Sequence, residues 1–148
     1  MRILKRENAL KLQLHHTIAD DYPQLLSIVH QQVRGGGHPD MSISGYGRTL
    51  WYEIKHATPH FDSPGLQEWM VQRLEKTNRC RYIIYADLPT TVVKERRAIF
   101  VLHPKYVVGQ HGKLDFSKLI SVVDCFITDH NHDLLAAYLD KAQKGTVL

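Results

Sequence analysis

Cysteine is nearly absent from this chain, and its scarcity excludes two kinds of chemistry. The 148 residues hold only Cys80 and Cys125. Neither belongs to a C-x-x-C pair of the kind that holds zinc or performs thiol exchange, so both read as buried apolar residues. Long hydrophobic runs are missing as well. The stretch Met1-Arg2-Ile3-Leu4-Lys5-Arg6-Glu7 has no apolar segment of signal-peptide length, and nothing approaches the ~20 apolar residues of a membrane span. The expectation is a cytoplasmic protein without a membrane partner. Repeats, low-complexity tracts and linkers are also lacking, so residues 1–148 read as a single domain.

What is present is ordinary for a folded domain: 43% apolar and 23% charged residues. A chain of this length buries roughly 68–70% of the surface its unfolded form exposes, enough for one real core. The net charge of +4 favours an acidic partner but is shared by many proteins that never touch one. Ten histidines add charge below neutrality.

Along the chain, Leu10, Leu14 and Ile18 recur every fourth residue and predict a helix from about Arg6 to Asp21, ended by Tyr22-Pro23. Glu7 falls at the inward end of that stripe, an unusual place for a charge without a partner. Leu25 to Val33, bounded by Pro23 and Gly35-Gly36-Gly37, reads as a strand. Pro39 to Ser44 alternates, with Met41 and Ile43 on one face and Asp40, Ser42 and Ser44 on the other. Gly45-Tyr46-Gly47 is a hairpin turn. In the returning strand, Thr49 to Ala57, Leu50, Tyr52 and Ile54 share one face, while Trp51, Glu53 and Lys55 share the opposite, polar one, expected to be hydrated.

Ser63-Pro64 starts a helix to about Asn78, with Gln67, Met70, Val71 and Leu74 facing inward. Arg81 to Ala86 is a buried strand and Ala98 to Leu102 a further one. Lys118 to Ile127 is an apolar run of ambiguous type, and Asp133 to Lys144 is a helix closed by Gly145. The expected class is α/β: an α-β-β-β-α-β core over about residues 7–88, a mixed central sheet flanked by helices, and a strand and helix extension over 89–148.

One constellation carries chemistry. The turn brings Asp40 and Glu53 near each other on adjacent strands, and Lys55 lies roughly 6.5–7 Å further along the same face. Two carboxylates with a lysine suit a hard divalent cation and a phosphate, since magnesium prefers oxygen ligands and assists phosphodiester hydrolysis. Either piece alone is commonplace, E-x-K as a surface pair and Pro-Asp as a turn. His56 and His60, and His130 and His132, have metal-like spacing, but they read as loop and helix-start residues and not as a zinc site.

Pro39-Asp40, twelve intervening residues and Glu53-Ile54-Lys55, set in that element order, resemble the PD-(D/E)xK nuclease superfamily. Within it the pattern is most similar to virus-type replication-repair nuclease domains, with Glu7, Gly37 and Gln67 at matching positions and Gly37 displaced one residue by His38. The resemblance covers about residues 7–88. It implies a restriction-endonuclease-like core and a Mg2+- or Mn2+-dependent endonuclease that cuts DNA to leave a 5′-phosphate and a 3′-hydroxyl. It also implies that Asp40, Glu53 and the carbonyl of Ile54 ligate the metal and that Lys55 orients the attacking water. Gln67 would steady the lysine or the phosphate, and Glu7 would assist through a water on the metal. Arg34, His38, Arg48, Lys94, Arg96 and Arg97 are candidates for phosphate-backbone contact. A homodimer acting on branched, Holliday-junction-like DNA fits so small a chain. An RNA endonuclease and a non-catalytic nucleic-acid-binding protein are the alternatives.

Overall fold

The computed structural model describes residues 2–30, 39–57, 61–62, 71–87, 97–107, 111–112 and 116–145. Helix α1 (Arg2–Asp21) is followed by strands β1 (Leu26–Val29), β2 (Met41–Gly45), β3 (Arg48–Ala57) and the two-residue β4 (Phe61–Asp62). Helix α2 is described over 71–75. Then come β5 (Cys80–Asp87), β6 (Arg97–Leu102), a 3-10 turn at Pro104–Tyr106, β7 (His111–Gly112), α3 (Phe116–Leu119), β8 (Cys125–Thr128) and α4 (His132–Lys144).

Six strands form one open sheet in the order β1-β2-β3-β5-β6-β8, antiparallel at every pairing except β3 with β5, while β4 and β7 pair separately. The architecture is mixed α/β. The separate β4–β7 pair has no counterpart in the sequence reading, because two-residue strands carry no periodicity to detect.

The helical periodicity is realised as packing. Leu10, Leu14 and Ile18 are buried and, with Leu135, Ala136 and Leu139 of α4, cover one sheet face made by Met41, Ile43, Leu50, Tyr52, Ile54, Ile83 and Tyr85. Each such side chain contributes roughly 1.5–3 kcal/mol of burial free energy. On the other face Val71, Val107 and Leu119 close over Cys80, Tyr82, Ile84, Ala98, Phe100 and Leu102. Successive residues of β5 and β6 therefore enter opposite cores, which is why Arg81 to Ala86 reads as a continuous apolar run.

The turn is a tight two-residue connection, with Gly45 paired to Arg48 and both Tyr46 (φ 51°) and Gly47 (φ 82°) left-handed. That is the backbone that matches strand twist in a hairpin. Helix α4 starts on the Asn131 side chain, which accepts the Leu134 N–H, and stops at left-handed Gly145. The run 118–127 resolves into the end of α3, a turn and the start of β8. Cys125 is half-buried and not a core residue, because β8 is an edge strand; both thiols are free. Within the expected strand at 25–33 the structure forms Leu26–Val29, and residues 31–33 lie outside the described residues, as does the expected helix start at Ser63-Pro64. No described helix is long and apolar enough to cross a membrane.

Candidate active site

The site arises from a mismatch of strand lengths. β2 has five residues and β3 ten, and their pairing ends at Met41 opposite Tyr52. The Trp51 N–H bonds to the Arg79 carbonyl beside β5, so the backbone groups of odd-numbered β3 residues face β5 and those of even-numbered ones face β2. Beyond Tyr52, Ile54 and His56 therefore point their N–H groups to a side where β2 has ended. Buried donors of this kind need acceptors.

Two carboxylates supply them. Asp40 Oδ2 accepts the Ile54 N–H at 2.8 Å. Glu7, reaching over from α1, accepts the His56 N–H through Oε1 at 3.0 Å. One rotation of the helix beyond Glu7, Lys11 places its ammonium 3.0 Å from Asp40 Oδ1, with the lysine itself buried. In a strand the N–H and C=O of one residue point the same way, so the Ile54 carbonyl is directed to the Asp40 side as well.

Glu53 is the outlier of the group. It is fully buried, and among the described residues neither of its carboxylate oxygens has a hydrogen-bond partner. It lies close enough to Asp40 for the two carboxyls to share a proton, although no hydrogen bond of good geometry joins them. Burial, and then the neighbouring Asp40 carboxylate, push its pKa far up. Asp40 goes the other way: burial alone would raise it, but Glu53, Lys11, the Ile54 N–H and Lys55 together hold it below the ordinary carboxylate range. Lys55 follows on the same strand and is also buried. The polar face expected to be hydrated is thus enclosed, on the side of the sheet where Trp51 packs with Leu74 of α2.

Of the residues singled out from sequence, the fold gathers Glu7, Asp40, Glu53, Ile54 and Lys55 into one place. Arg48 sits at the opposite end of β3, where its guanidinium donates to the Ala142 and Gln143 carbonyls at the end of α4. Arg97 is exposed on β6 opposite Asp87, and Asp87 also contacts the His56 ring at 3.3 Å. Gln67, Arg34, His38, Lys94 and Arg96 lie outside the described residues, as do Gly37 and His60. His132 bonds the Tyr85 hydroxyl at 3.0 Å and His130 packs edge-on against the same ring.

Sequence reasoning missed Lys11 and His30. Lys11 carried a signal, since it lies four residues after Glu7 and next to Leu10 on the inward stripe. His30 had none: its N–H bonds the Asp40 carbonyl at 2.8 Å, its ring bonds Ser42 Oγ at 2.8 Å, and it stacks on Trp51 at 5.1 Å. Trp51 packs on the same side as Leu74 of α2.

Magnesium favours few protein ligands, all oxygen, with water or phosphate completing the shell. The orphaned Glu53 carboxylate, Asp40 and the Ile54 carbonyl are such a donor set. Among the described residues no group of three or more His, Cys, Asp or Glu side chains is placed to hold a metal ion. No known protein-family model matches the chain, and no curated protein sequence matches it.

Proposed function

We propose that the chain is a metal-dependent endonuclease that hydrolyses DNA phosphodiester bonds, with a restriction-endonuclease-like core and Asp40, Glu53 and Lys55 at its centre. The observation that carries this reading is Glu53: a fully buried carboxylate with neither oxygen satisfied, set against a second carboxylate. A buried, unpartnered carboxylate costs several kcal/mol unless a cation neutralises it, and a fold that retains one has a use for the cation.

Asp40 and Glu53, joined by the Ile54 carbonyl, would hold magnesium or manganese. A bound ion of this kind supplies Lewis acidity toward the phosphate and lowers the pKa of water. Lys55 follows Glu53 on the same strand face and is the side chain placed to orient the attacking water and offset charge on the phosphate. Glu7 and the Ile54 N–H hold the open half of β3 and the Asp40 carboxylate in register. Cleavage of branched DNA by a homodimer is the form of this reading that the PD-(D/E)xK resemblance suggests.

The test is incubation with linear, branched and single-stranded DNA and with RNA, under magnesium, manganese, calcium or chelator. Cutting of DNA under magnesium or manganese, binding without efficient cutting under calcium, and no reaction in chelator are expected. Undiminished cutting in chelator sinks the metal mechanism. Cleavage of RNA alone transfers the reading to an RNA endonuclease, and binding without cleavage under any metal leaves a nucleic-acid-binding protein.

A further inference from the structure

The most unusual group beside the carboxylates is a second lysine. Lys11 is buried on α1, and its ammonium contacts Asp40 Oδ1 at 3.0 Å. Asp40 already has a donor for its other oxygen in the Ile54 N–H at 2.8 Å, and Lys55 stands two residues from Glu53 on the adjoining strand. A structural ion pair needs one cation for Asp40. Here two lysines converge on one pair of carboxyls, Asp40 and Glu53.

The charge balance gives this surplus a role. With a divalent ion bound and Asp40 and Glu53 both ionised, the two lysines balance the two carboxylates and the ion leaves the site two units positive. That excess attracts the negative charge of a phosphodiester. Without Lys11 the loaded site would carry one positive unit fewer, a better trap for the metal and a poorer one for the phosphate. The position of Lys11 on α1 also separates it from the reacting groups of β3, so it acts through Asp40.

We propose that Lys11 is a positioning residue that sets the charge of the site, weakening divalent-metal affinity and strengthening metal-dependent phosphate binding. This rests on the reading of Asp40 and Glu53 as metal ligands. It predicts effects of opposite sign on two ligands, whereas a purely structural ion pair moves both in the same direction or neither.

The experiment compares the full-length parent with Lys11→Met, Lys11→Gln and Lys11→Arg. Mn2+ is titrated calorimetrically, and short duplex DNA is titrated in saturating Ca2+ by fluorescence anisotropy. Removing a unit charge several ångströms from a divalent ion at an effective dielectric near 20, reduced by solvent screening, tightens Mn2+ binding by about tenfold or more in the Met and Gln variants. Calcium-dependent DNA binding weakens by about fivefold or more, and Lys11→Arg stays within about twofold of the parent on both readouts. Should the Met variant fail to fold, Lys11→Gln, which still donates a hydrogen bond to Asp40, carries the test. Mn2+ affinities of the Met and Gln variants within twofold of the parent, or weaker, overturn the role of Lys11 while leaving the metal site standing. A parent that binds no Mn2+ overturns the metal reading itself, and this inference with it.

Discussion

The β2–β3 hairpin carries a polar cluster at each end, and the two are finished differently. At the turn end, Asp140 receives donors from Gln24 at 3.2 Å, Tyr46 at 2.9 Å and Lys144 at 3.1 Å. Arg48 caps the end of α4, and Gln143 donates to the Gly45 and Arg48 carbonyls. Among the described buried side chains only a neutral oxygen, Gln143 Oε1, lacks a partner there. At the open end Asp40 and Glu7 are satisfied, but both oxygens of a fully buried carboxylate are not. A fold completes the polar groups that serve only its stability, so an orphaned buried carboxyl marks the end where stability has been given up for something else.

The largest effect expected from this contrast is on turnover. Glu53→Gln keeps side-chain shape and removes the ionisable carboxyl proposed to ligate the metal, so DNA cleavage under magnesium should fall by more than about a hundredfold. The same change should leave the melting temperature at or above the parent's, because it replaces a buried carboxylate without donors by a neutral amide. Asp140→Asn should do the reverse, leaving cleavage within about twofold while costing about 1–2 kcal/mol in a urea melt. Cleavage lost in both variants, or in neither, would erase the distinction between the two ends.

A smaller effect tests Arg48, which charge alone makes a candidate for DNA contact. Its guanidinium is engaged by carbonyls of α4. Arg48→Met should therefore cost about 1 kcal/mol of stability through the lost helix-end contacts. Affinity for duplex DNA in calcium should stay within about twofold of the parent. A drop of tenfold or more in DNA affinity, with little change in stability, would extend the functional surface to the turn end.

The two ends also differ in how far the sequence announced them. Tyr46-Gly47 announces its turn through residue type, Leu10, Leu14 and Ile18 announce their helix through spacing, and Gly145 announces the end of α4 through capping chemistry. These are local signals, and the structure follows them. The nearness of Asp40 to Glu53 was legible for the same reason, being a consequence of hairpin register. What stayed hidden depends on where one strand stops against another. Nothing local says that β2 ends at Met41, that Ile54 and His56 are left facing carboxylates, or that Lys11 drops onto Asp40. The parallel pairing of β3 with β5 and the attachment of Arg48 to α4 are likewise long-range outcomes. Burial of the polar face was misjudged because strand parity says which side a residue takes, not what covers that side.

The smallest effect is an acid-range signature of the completed end. Burial by itself would raise the Asp140 carboxyl, but hydrogen bonds from Tyr46, Lys144 and Gln24 hold it below its ordinary value near 3.8. A carboxyl with a lowered folded-state pKa binds its proton more weakly in the native state than in the unfolded chain. Its contribution to stability is therefore fully present above the unfolded value and is lost as pH falls through the folded one. The difference in melting temperature between parent and Asp140→Asn should hold steady from neutral pH down to about pH 5 and shrink below about pH 4. High salt should reduce the difference as well, since Lys144 is half-exposed and screened. A parent-to-variant difference that stays constant from pH 7 down to pH 3 would mean that Asp140 is held by the geometry of its neighbours and not by its charge, and the turn end would then owe its completeness to packing.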